Sequence, residues 1–150
     1  MAKTLSIPRA RHRARHLAVQ ALYQWQITGQ SRDEIVERFL TDQEMDEMVA
    51  EYFKELVASV SANASSIDAV MAPLLDRSID QLDPVESSIL RIGVYELEKR
   101  PDVPYRVVLN EAIEAAKTFG AEDSYKYVNG ILDLLAPKYR QHEVAVNKAT

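Results

Sequence analysis

The chain has 150 residues, 47% of them hydrophobic, and no cysteine, which excludes disulfides, thiolate metal sites and cysteine nucleophiles. No stretch approaches the ~20 apolar residues that a membrane-spanning helix needs. Its 18 basic and 23 acidic side chains give a net charge of -5, and this length suits one compact domain. Glycine is scarce, which favours helices, and the lack of cysteine is typical of a reducing, cytoplasmic location.

Helix signals recur along the first half of the chain. The first helix is predicted over residues 9–28, because Gly29 suits the left-handed position that ends a helix. The Ser-x-x-Glu spacing of a capping box starts a short helix over 31–40. Apolar residues at i, i+3 and i+4 predict a longer helix over 46–62, and another follows over 67–75.

The second half of the chain has clearer signals for where its helices begin and end. An Asp-Pro-Val-Glu sequence starts a helix predicted over residues 84–99, in which Gly93 permits a close helix crossing. A stiff turn with two prolines precedes a helix over 105–119. The last helix is predicted over 124–136, and residues 141–150 are expected to form a flexible tail.

The predicted fold is all-α, with about seven helices in two small packed helical subdomains. One domain is predicted over residues 1–140, with subdomains at about 9–80 and 81–140. On a helical wheel the apolar stripe of the first helix centres near Trp25, which predicts a buried tryptophan and an exposed Tyr23 on the opposite side. An exposed tyrosine is common at interfaces, although it can equally cover a neighbouring loop.

Basic charge is confined to one end of the sequence. The first acidic residue is Asp33, and the basic residues before it are Lys3, Arg9, Arg11, Arg13, Arg15 and Arg32. Like charges at i, i+4 near the positive end of a helix repel one another, and bound phosphates would relieve that repulsion. The pattern therefore predicts a polyanion as the partner.

Two other interpretations of the basic end stay open. An arginine-rich, acid-poor N-terminus also describes an organellar transit peptide, and charge runs are often solvated faces. Against the transit peptide, one apolar stripe runs from the arginines to Gly29, so the segment looks like part of the core.

Catalytic signatures are absent from the sequence. No glycine loop that could cradle a phosphate is present, and His12, His16 and His142 lack the spacing of a helical zinc site. The many carboxylates fit the solvated faces of acidic helices better than a catalytic pair. We therefore expect no enzyme activity, no metal and no cofactor.

The start of the last helix offers a weaker nucleic-acid signal. Lys126 points away from the apolar stripe, and Tyr127 lies on its flank. An aromatic ring beside a lysine near a helix N-terminus can stack a base while the cation meets phosphate. A place at the edge of the core explains Tyr127 equally simply.

Several blocks of the sequence recur in one known family. They are Arg13-Ala14-Arg15, Ala18-Val19-Gln20-Ala21-Leu22-Tyr23, Leu90-Arg91-Ile92, Tyr95-Glu96-Leu97, Val103-Pro104-Tyr105, Asn110-Glu111-Ala112-Ile113-Glu114, Phe119-Gly120-Ala121-Glu122-Asp123-Ser124 and Val128-Asn129-Gly130-Ile131-Leu132-Asp133. In unbroken order over about residues 9–140, they closely resemble the NusB family of bacterial transcription antitermination factors. The C-terminal blocks are the most specific.

The resemblance implies a protein of two helical subdomains that binds the boxA element of nascent ribosomal RNA transcripts. It also implies a partner, the ribosomal protein NusE, in a complex that keeps RNA polymerase from terminating early. By position, the implied RNA-binding residues are Arg9, Arg11, Arg13, Arg15, Asp123, Ser124, Lys126 and Tyr127. The implied NusE-facing residues are Tyr23, Glu86 and Arg91. His12 stands where relatives often have arginine, and Tyr127 where they often have phenylalanine, but both can still serve RNA binding.

Two rival functions accompany this interpretation. The same helical fold resembles the N-terminal domain of ribosomal RNA cytosine methyltransferases, which need a second domain and a catalytic cysteine that this sequence does not contain. A protein-interaction bundle whose arginines meet an acidic protein is the other rival. The sequence does not decide between a monomer and a homodimer.

Overall fold

A computed structural model of the chain describes residues 5–149, which form seven α-helices and two 3₁₀ turns and contain no strand. The helices are α1 (Ile7–Thr28), α2 (Arg32–Asp42), α3 (Glu47–Ala62), α4 (Ala64–Met71), α5 (Pro84–Lys99), α6 (Tyr105–Phe119) and α7 (Ser124–Ala149). The 3₁₀ turns, Ala72–Leu74 and Ile79–Gln81, lie between α4 and α5. The all-α prediction is confirmed. Lys3, counted in the basic end of the sequence, lies outside the described residues.

The helices group into two compact units, the first ending at Ala62 and the second beginning at Asn63. This division lies earlier than the predicted boundary near residue 80, because α4 belongs with α5. Asp68 of α4 accepts two hydrogen bonds from Arg91 of α5, at 2.9 and 2.8 Å. A paired, mostly buried guanidinium of this kind ties the two helices together.

In the first unit, α1 packs along α3, and α2 contacts both. The cap signals act as predicted, since Ser31 Oγ accepts a hydrogen bond from the Glu34 N–H at 3.2 Å. Gly29 ends α1 with a φ of 71°, in the left-handed region that glycine adopts without strain. The buried side chains of α1 and α3 are Ala10, Ala14, Arg15, Leu17, Ala18, Val19, Ala21, Leu22, Val49, Tyr52, Phe53, Leu56, Val57 and Val60.

The prediction that Trp25 lies in the core is wrong, because the residue is only half-buried. Leu22 is the last buried residue of α1, so the packed length of the helix ends one turn before Trp25. Periodicity identifies the face that a side chain occupies, but it does not show how far along a helix the neighbouring elements reach.

In the second unit, α5 is the central helix and contacts both α6 and α7. Its start follows the prediction, since Asp83 Oδ1 accepts a hydrogen bond from the Val85 N–H at 2.7 Å. A Cβ atom on Gly93 would lie 2.7 and 2.8 Å from the two Cδ atoms of Leu132 in α7. The predicted close helix crossing at Gly93 is therefore confirmed.

The C-terminus departs from the predicted flexible tail. α7 continues to Ala149, with Pro137 inside it and a non-helical Arg140 at φ -133° and ψ 40°. Pro137 removes the backbone donor that would bond to the Asp133 carbonyl, whereas the non-helical residue, Arg140, lies three positions later. Residues after the break are helical because Arg140 and Glu143 anchor them to other elements.

The side chain of Arg140 is 6% exposed and donates hydrogen bonds from all three of its nitrogen atoms. Its acceptors are the carbonyl oxygens of Leu97 at 2.9 Å, Val103 at 2.7 Å, Glu96 at 3.0 Å and Arg100 at 2.8 Å, and Glu143 Oε1 at 2.7 Å. Four of these five partners are main-chain carbonyls at the end of α5 and in the turn that follows. Arg140 therefore satisfies groups that a helix C-terminus otherwise leaves unpaired.

Glu143 caps the start of α6. Its Oε2 accepts a hydrogen bond from the Tyr105 N–H at 2.9 Å, where Pro104 supplies no capping side chain. Burial alone would raise the pKa of Glu143, but the hydrogen bonds from Tyr105 and Arg140 outweigh it and hold the pKa below its ordinary value. The carboxylate is therefore charged at neutral pH and completes the contacts of Arg140.

We expect Arg140→Ala to lower the free energy of unfolding by more than about 3 kcal/mol, because it leaves several buried carbonyls without donors. Lys138→Ala, which truncates an exposed cation in the same helix, is the matched control and is expected to cost less than about 0.5 kcal/mol. Urea unfolding followed by circular dichroism measures both. Equal stability of the two variants would contradict the anchoring role of Arg140.

Candidate nucleic-acid interface

The four arginines of α1 do not share one face. Residues two positions apart in a helix lie about 200° apart around the axis, so Arg9 and Arg13 form one pair and Arg11 and Arg15 form another. Arg9 and Arg13 are exposed, whereas Arg11 is half-buried. Arg15 is only 4% exposed and lies in the packed side of α1.

The second pair packs on an aromatic ring of α3. The guanidinium carbons of Arg11 and Arg15 lie 5.0 and 5.6 Å from the ring centroid of Tyr52, which is itself 5% exposed. Cation–aromatic contacts at this distance are attractive, more so when water is excluded. Arg15 is therefore not the exposed cation that the basic end of the sequence suggested. A helical wheel separates the four arginines into two faces but does not show that Arg15 is buried.

Arg13 makes a long hydrogen bond within the first unit. Its Nη2 donates to the carbonyl oxygen of Glu44, which precedes α3, at 3.5 Å. That distance lies at the long limit for a hydrogen bond, so the guanidinium is only weakly held. Arg9 and Arg13 are thus the arginines of α1 best placed to meet an anion.

The same face of α1 becomes apolar towards its C-terminal end. Tyr23 is 40% exposed, as predicted from the helical wheel, and Ile27, one turn further on, is 55% exposed. Side chains at i and i+4 are neighbours on a helix surface, so the two form an apolar ridge. Ile27 was missed by the sequence analysis, although its position one turn after Tyr23 is a readable signal.

In the second unit, the start of α7 brings several predicted residues together. Asp123 has a φ of 67° and precedes the helix, and its Oδ1 lies 3.3 Å from Lys126 Nζ. Both side chains are 66% exposed, so this ion pair is weak and open to competition. Lys126 is free to exchange Asp123 for another anion.

The sequence predicts Ser124 and Glu86 on different surfaces, but the two side chains are hydrogen bonded to each other. Ser124 Oγ donates to Glu86 Oε2 at 2.9 Å, and Ser124 is only 6% exposed. This bond links the start of α7 to the first turn of α5. Arg91, predicted beside Glu86, is 9% exposed and bonded to Asp68, so its guanidinium holds α4 and α5 together.

Tyr127 lies next to a pair of residues that the sequence analysis did not single out. Its hydroxyl donates to Asp76 Oδ1 at 3.0 Å, and the guanidinium carbon of Arg77 lies 5.3 Å from its ring centroid. Burial, together with the hydrogen bond to Asp76, raises the pKa of Tyr127, so the phenol stays protonated at neutral pH. Asp76 and Arg77 are about fifty residues away in sequence, and no motif marks them.

Within residues 5–149, no three histidine, aspartate or glutamate side chains are grouped so that they could hold a metal ion. None of the helices in this segment is both long enough and apolar enough to cross a membrane.

Known proteins match this chain over most of its length. A family model described as the NusB family matches residues 12–137. A curated relative, the transcription antitermination protein NusB of Yersinia pestis (strain Pestoides F), is 52% identical over 136 residues. That alignment covers 91% of this chain and 99% of the relative.

Solved structures give the same result. NusB of T. maritima superposes with a TM-score of 0.83 at 31% identity, covering 96% of this chain and 99% of that one. A chain in a crystal structure of the antitermination factors NusB and NusE with double-stranded RNA superposes with a TM-score of 0.75 at 32% identity. It covers 87% of this chain and 98% of that one.

The two arginine pairs of α1 predict different effects on stability. We expect Arg15→Ala to lower the free energy of unfolding by about 2 kcal/mol, because it removes a buried stem and the contact with Tyr52. Arg13→Ala, an identical substitution on the exposed face, is expected to cost less than about 0.5 kcal/mol. Urea unfolding of both variants measures the difference, and an Arg13 variant as unstable as the Arg15 variant would refute this division.

Proposed function

This chain belongs to the NusB family, and we propose that it binds boxA-type RNA of ribosomal RNA transcripts together with the ribosomal protein NusE. The function is transcription antitermination, the activity for which the 52% identical relative is named. The NusB chain solved with NusE and double-stranded RNA supports both partners at 32% identity.

One observation in the structure carries the RNA-binding part of the proposal. The exposed pair Arg9 and Arg13 lies in the first two turns of α1, in a protein whose net charge is -5. A cationic pair near the positive end of a helix dipole attracts phosphates while the acidic remainder repels them. RNA is thereby directed to this end of α1, and Arg11 contributes through its half-exposed side chain.

The start of α7 supplies the second RNA-binding element of the proposal. Lys126 offers an exposed ammonium group, and Tyr127 offers a ring on which an unpaired base can stack. Asp123 and the buried Ser124 shape this turn, so they act by positioning. Stacking requires unpaired bases, and we therefore propose a single strand as the preferred ligand, although the solved relative holds double-stranded RNA.

The NusE-facing surface in this proposal centres on the apolar ridge of Tyr23 and Ile27. Partly exposed tyrosine and isoleucine side chains lose apolar surface to water when a protein partner covers them. Glu86 and Arg91 belong to the proposed surface as well, each through a group that is already bonded inside the second unit. Their contribution is to hold α5 in place through these bonds.

The proposal includes no catalytic step. Bridging an RNA and a protein requires two surfaces and no reacting group, so we assign no enzyme activity and no cofactor. A partner set of nascent transcripts and a ribosomal protein places the proposed function in the cytoplasm.

We expect Arg9→Ala combined with Arg13→Ala to weaken binding of single-stranded boxA-type RNA and to reduce the log–log salt slope by about 1.4, or 0.7 for each lost phosphate contact. Arg38→Ala, which removes one exposed arginine from α2 of the same unit, is the control for loss of positive charge elsewhere on that unit. Fluorescence anisotropy titrations at several salt concentrations measure the slope, with a duplex of the same sequence as a competitor.

An unchanged slope in the double variant would remove the exposed pair from the RNA site. An equal loss in the Arg38 variant would mean that net charge, and not this surface, determines affinity. If the wild-type protein bound an acidic protein but no RNA, the protein-interaction bundle would replace the proposed function.

A bridging factor also needs residues that serve one partner and not the other. We expect Tyr23→Ala to weaken NusE binding by more than about 1 kcal/mol and to leave RNA binding of the isolated protein unchanged. Tyr127→Ala is expected to do the reverse. Leu134→Ala truncates a side chain that is 64% exposed and serves as the apolar control. Calorimetry with NusE and with RNA decides the question, and loss of both activities in a folded variant would end the two-surface model.

A further inference from the structure

The segment between the two 3₁₀ turns carries an ordered ion pair. Arg77 Nε donates to Asp76 Oδ1 at 2.8 Å, and Arg77 Nη2 donates to Asp76 Oδ2 at 3.1 Å. Both side chains are largely exposed, at 61% for Asp76 and 44% for Arg77. A two-point arrangement of this kind fixes the plane of the guanidinium as well as its position.

The same carboxylate also holds Tyr127. The tyrosine hydroxyl donates to Asp76 Oδ1, the oxygen that accepts from Arg77 Nε, and the guanidinium carbon of Arg77 lies 5.3 Å from the ring centroid. One acidic side chain therefore sets the relation between a planar cation and an aromatic ring. A surface ion pair alone contributes little to stability, so the main effect of the Asp76–Arg77 pair is the geometry that it gives to the guanidinium and the ring.

We propose that Asp76 is a positioning residue and Arg77 a further RNA-contacting residue, the two forming with Tyr127 a platform for an unpaired base and its phosphate. The inference rests on the proposed function, because it assumes that Tyr127 meets RNA.

Arg77 retains the donors that such a contact needs. A guanidinium has five N–H groups, and the hydrogen bonds to Asp76 use two of them. Among residues 5–149, Arg77 donates to no hydrogen-bond acceptor besides Asp76, so its three remaining N–H groups stay available to a ligand. Arginine planes stack on bases and donate to phosphate oxygens, which matches a single-stranded ligand.

The charge of Asp76 makes the inference testable. Hydrogen bonds from Arg77 and Tyr127 hold the pKa of Asp76 below its ordinary value, so the carboxylate is ionised at neutral pH. A negative charge beside an RNA site weakens binding by electrostatics alone, and its removal would then strengthen binding. Positioning predicts the opposite sign, because without Asp76 the cation and the ring lose their common anchor.

The test uses the full chain and single-stranded boxA-type RNA, titrated over a range of salt concentrations. We expect Asp76→Ala to weaken binding about fivefold or more, although it removes a negative charge. Asp80→Ala removes a neighbouring exposed carboxylate in the Ile79–Gln81 turn and is expected to leave affinity equal or slightly higher. Arg77→Ala is expected to weaken binding to a similar extent and to reduce the salt slope by about 0.7.

Two further variants separate geometry from charge and guard against misfolding. Arg77→Lys keeps the positive charge but loses the planar fork, so we expect the wild-type salt slope with only partly restored affinity. Asp76→Asn keeps an acceptor for the Tyr127 hydroxyl and is expected to bind between wild type and Asp76→Ala. Circular dichroism establishes that each variant is folded.

Affinity of Asp76→Ala equal to or above that of wild type would overturn the positioning role. An unchanged slope in Arg77→Ala, or a loss confined to NusE binding, would overturn the RNA contact. These outcomes differ from failure of the proposed function itself, in which the wild-type protein binds no boxA-type RNA and the inference falls with it.

Discussion

The second unit depends on one buried guanidinium. Arg140 donates to four main-chain carbonyls and to Glu143, and these acceptors lie at the end of α5, in the turn that follows and in the last part of α7. A buried cation is costly unless its donors are satisfied, and here the fixed carbonyls satisfy them. The turn between α5 and α6, which contains two prolines, is thereby held in a single geometry.

The contacts of Arg140 also determine where the candidate binding residues of the second unit lie. With the α5–α6 turn held, α7 packs against α5 closely enough that Leu132 fills the space beside Gly93. Ser124 then reaches Glu86, and the first turn of α7 presents Tyr127 to Asp76 and Arg77. The candidate RNA-binding side chains of this unit thus stand at a helix end beside a short loop, where hydrogen bonds hold them in place.

In the first unit, the arrangement of charge follows from helix geometry. Alternate arginines along α1 fall on two faces, so one pair meets solvent and the other packs on Tyr52. Repulsion among four close cations is partly offset because Arg11 and Arg15 each gain an attractive contact with the Tyr52 ring, and only Arg9 and Arg13 are exposed. The exposed face continues to Tyr23 and Ile27, so one helix offers a cationic end and an apolar end.

The sequence by itself determined the number of helices, the caps at Ser31 and Asp83, the exposure of Tyr23 and the family, since each of these is a local pattern or a matched motif. The tertiary structure alone decided three other matters: the half-burial of Trp25, the burial of Arg15 and the helical C-terminus beyond Pro137. These depend on what packs against a helix and how far it reaches. The contact of Asp76 and Arg77 with Tyr127 was hidden for the same reason, because hydrogen bonds between distant residues leave no periodic trace in a single sequence.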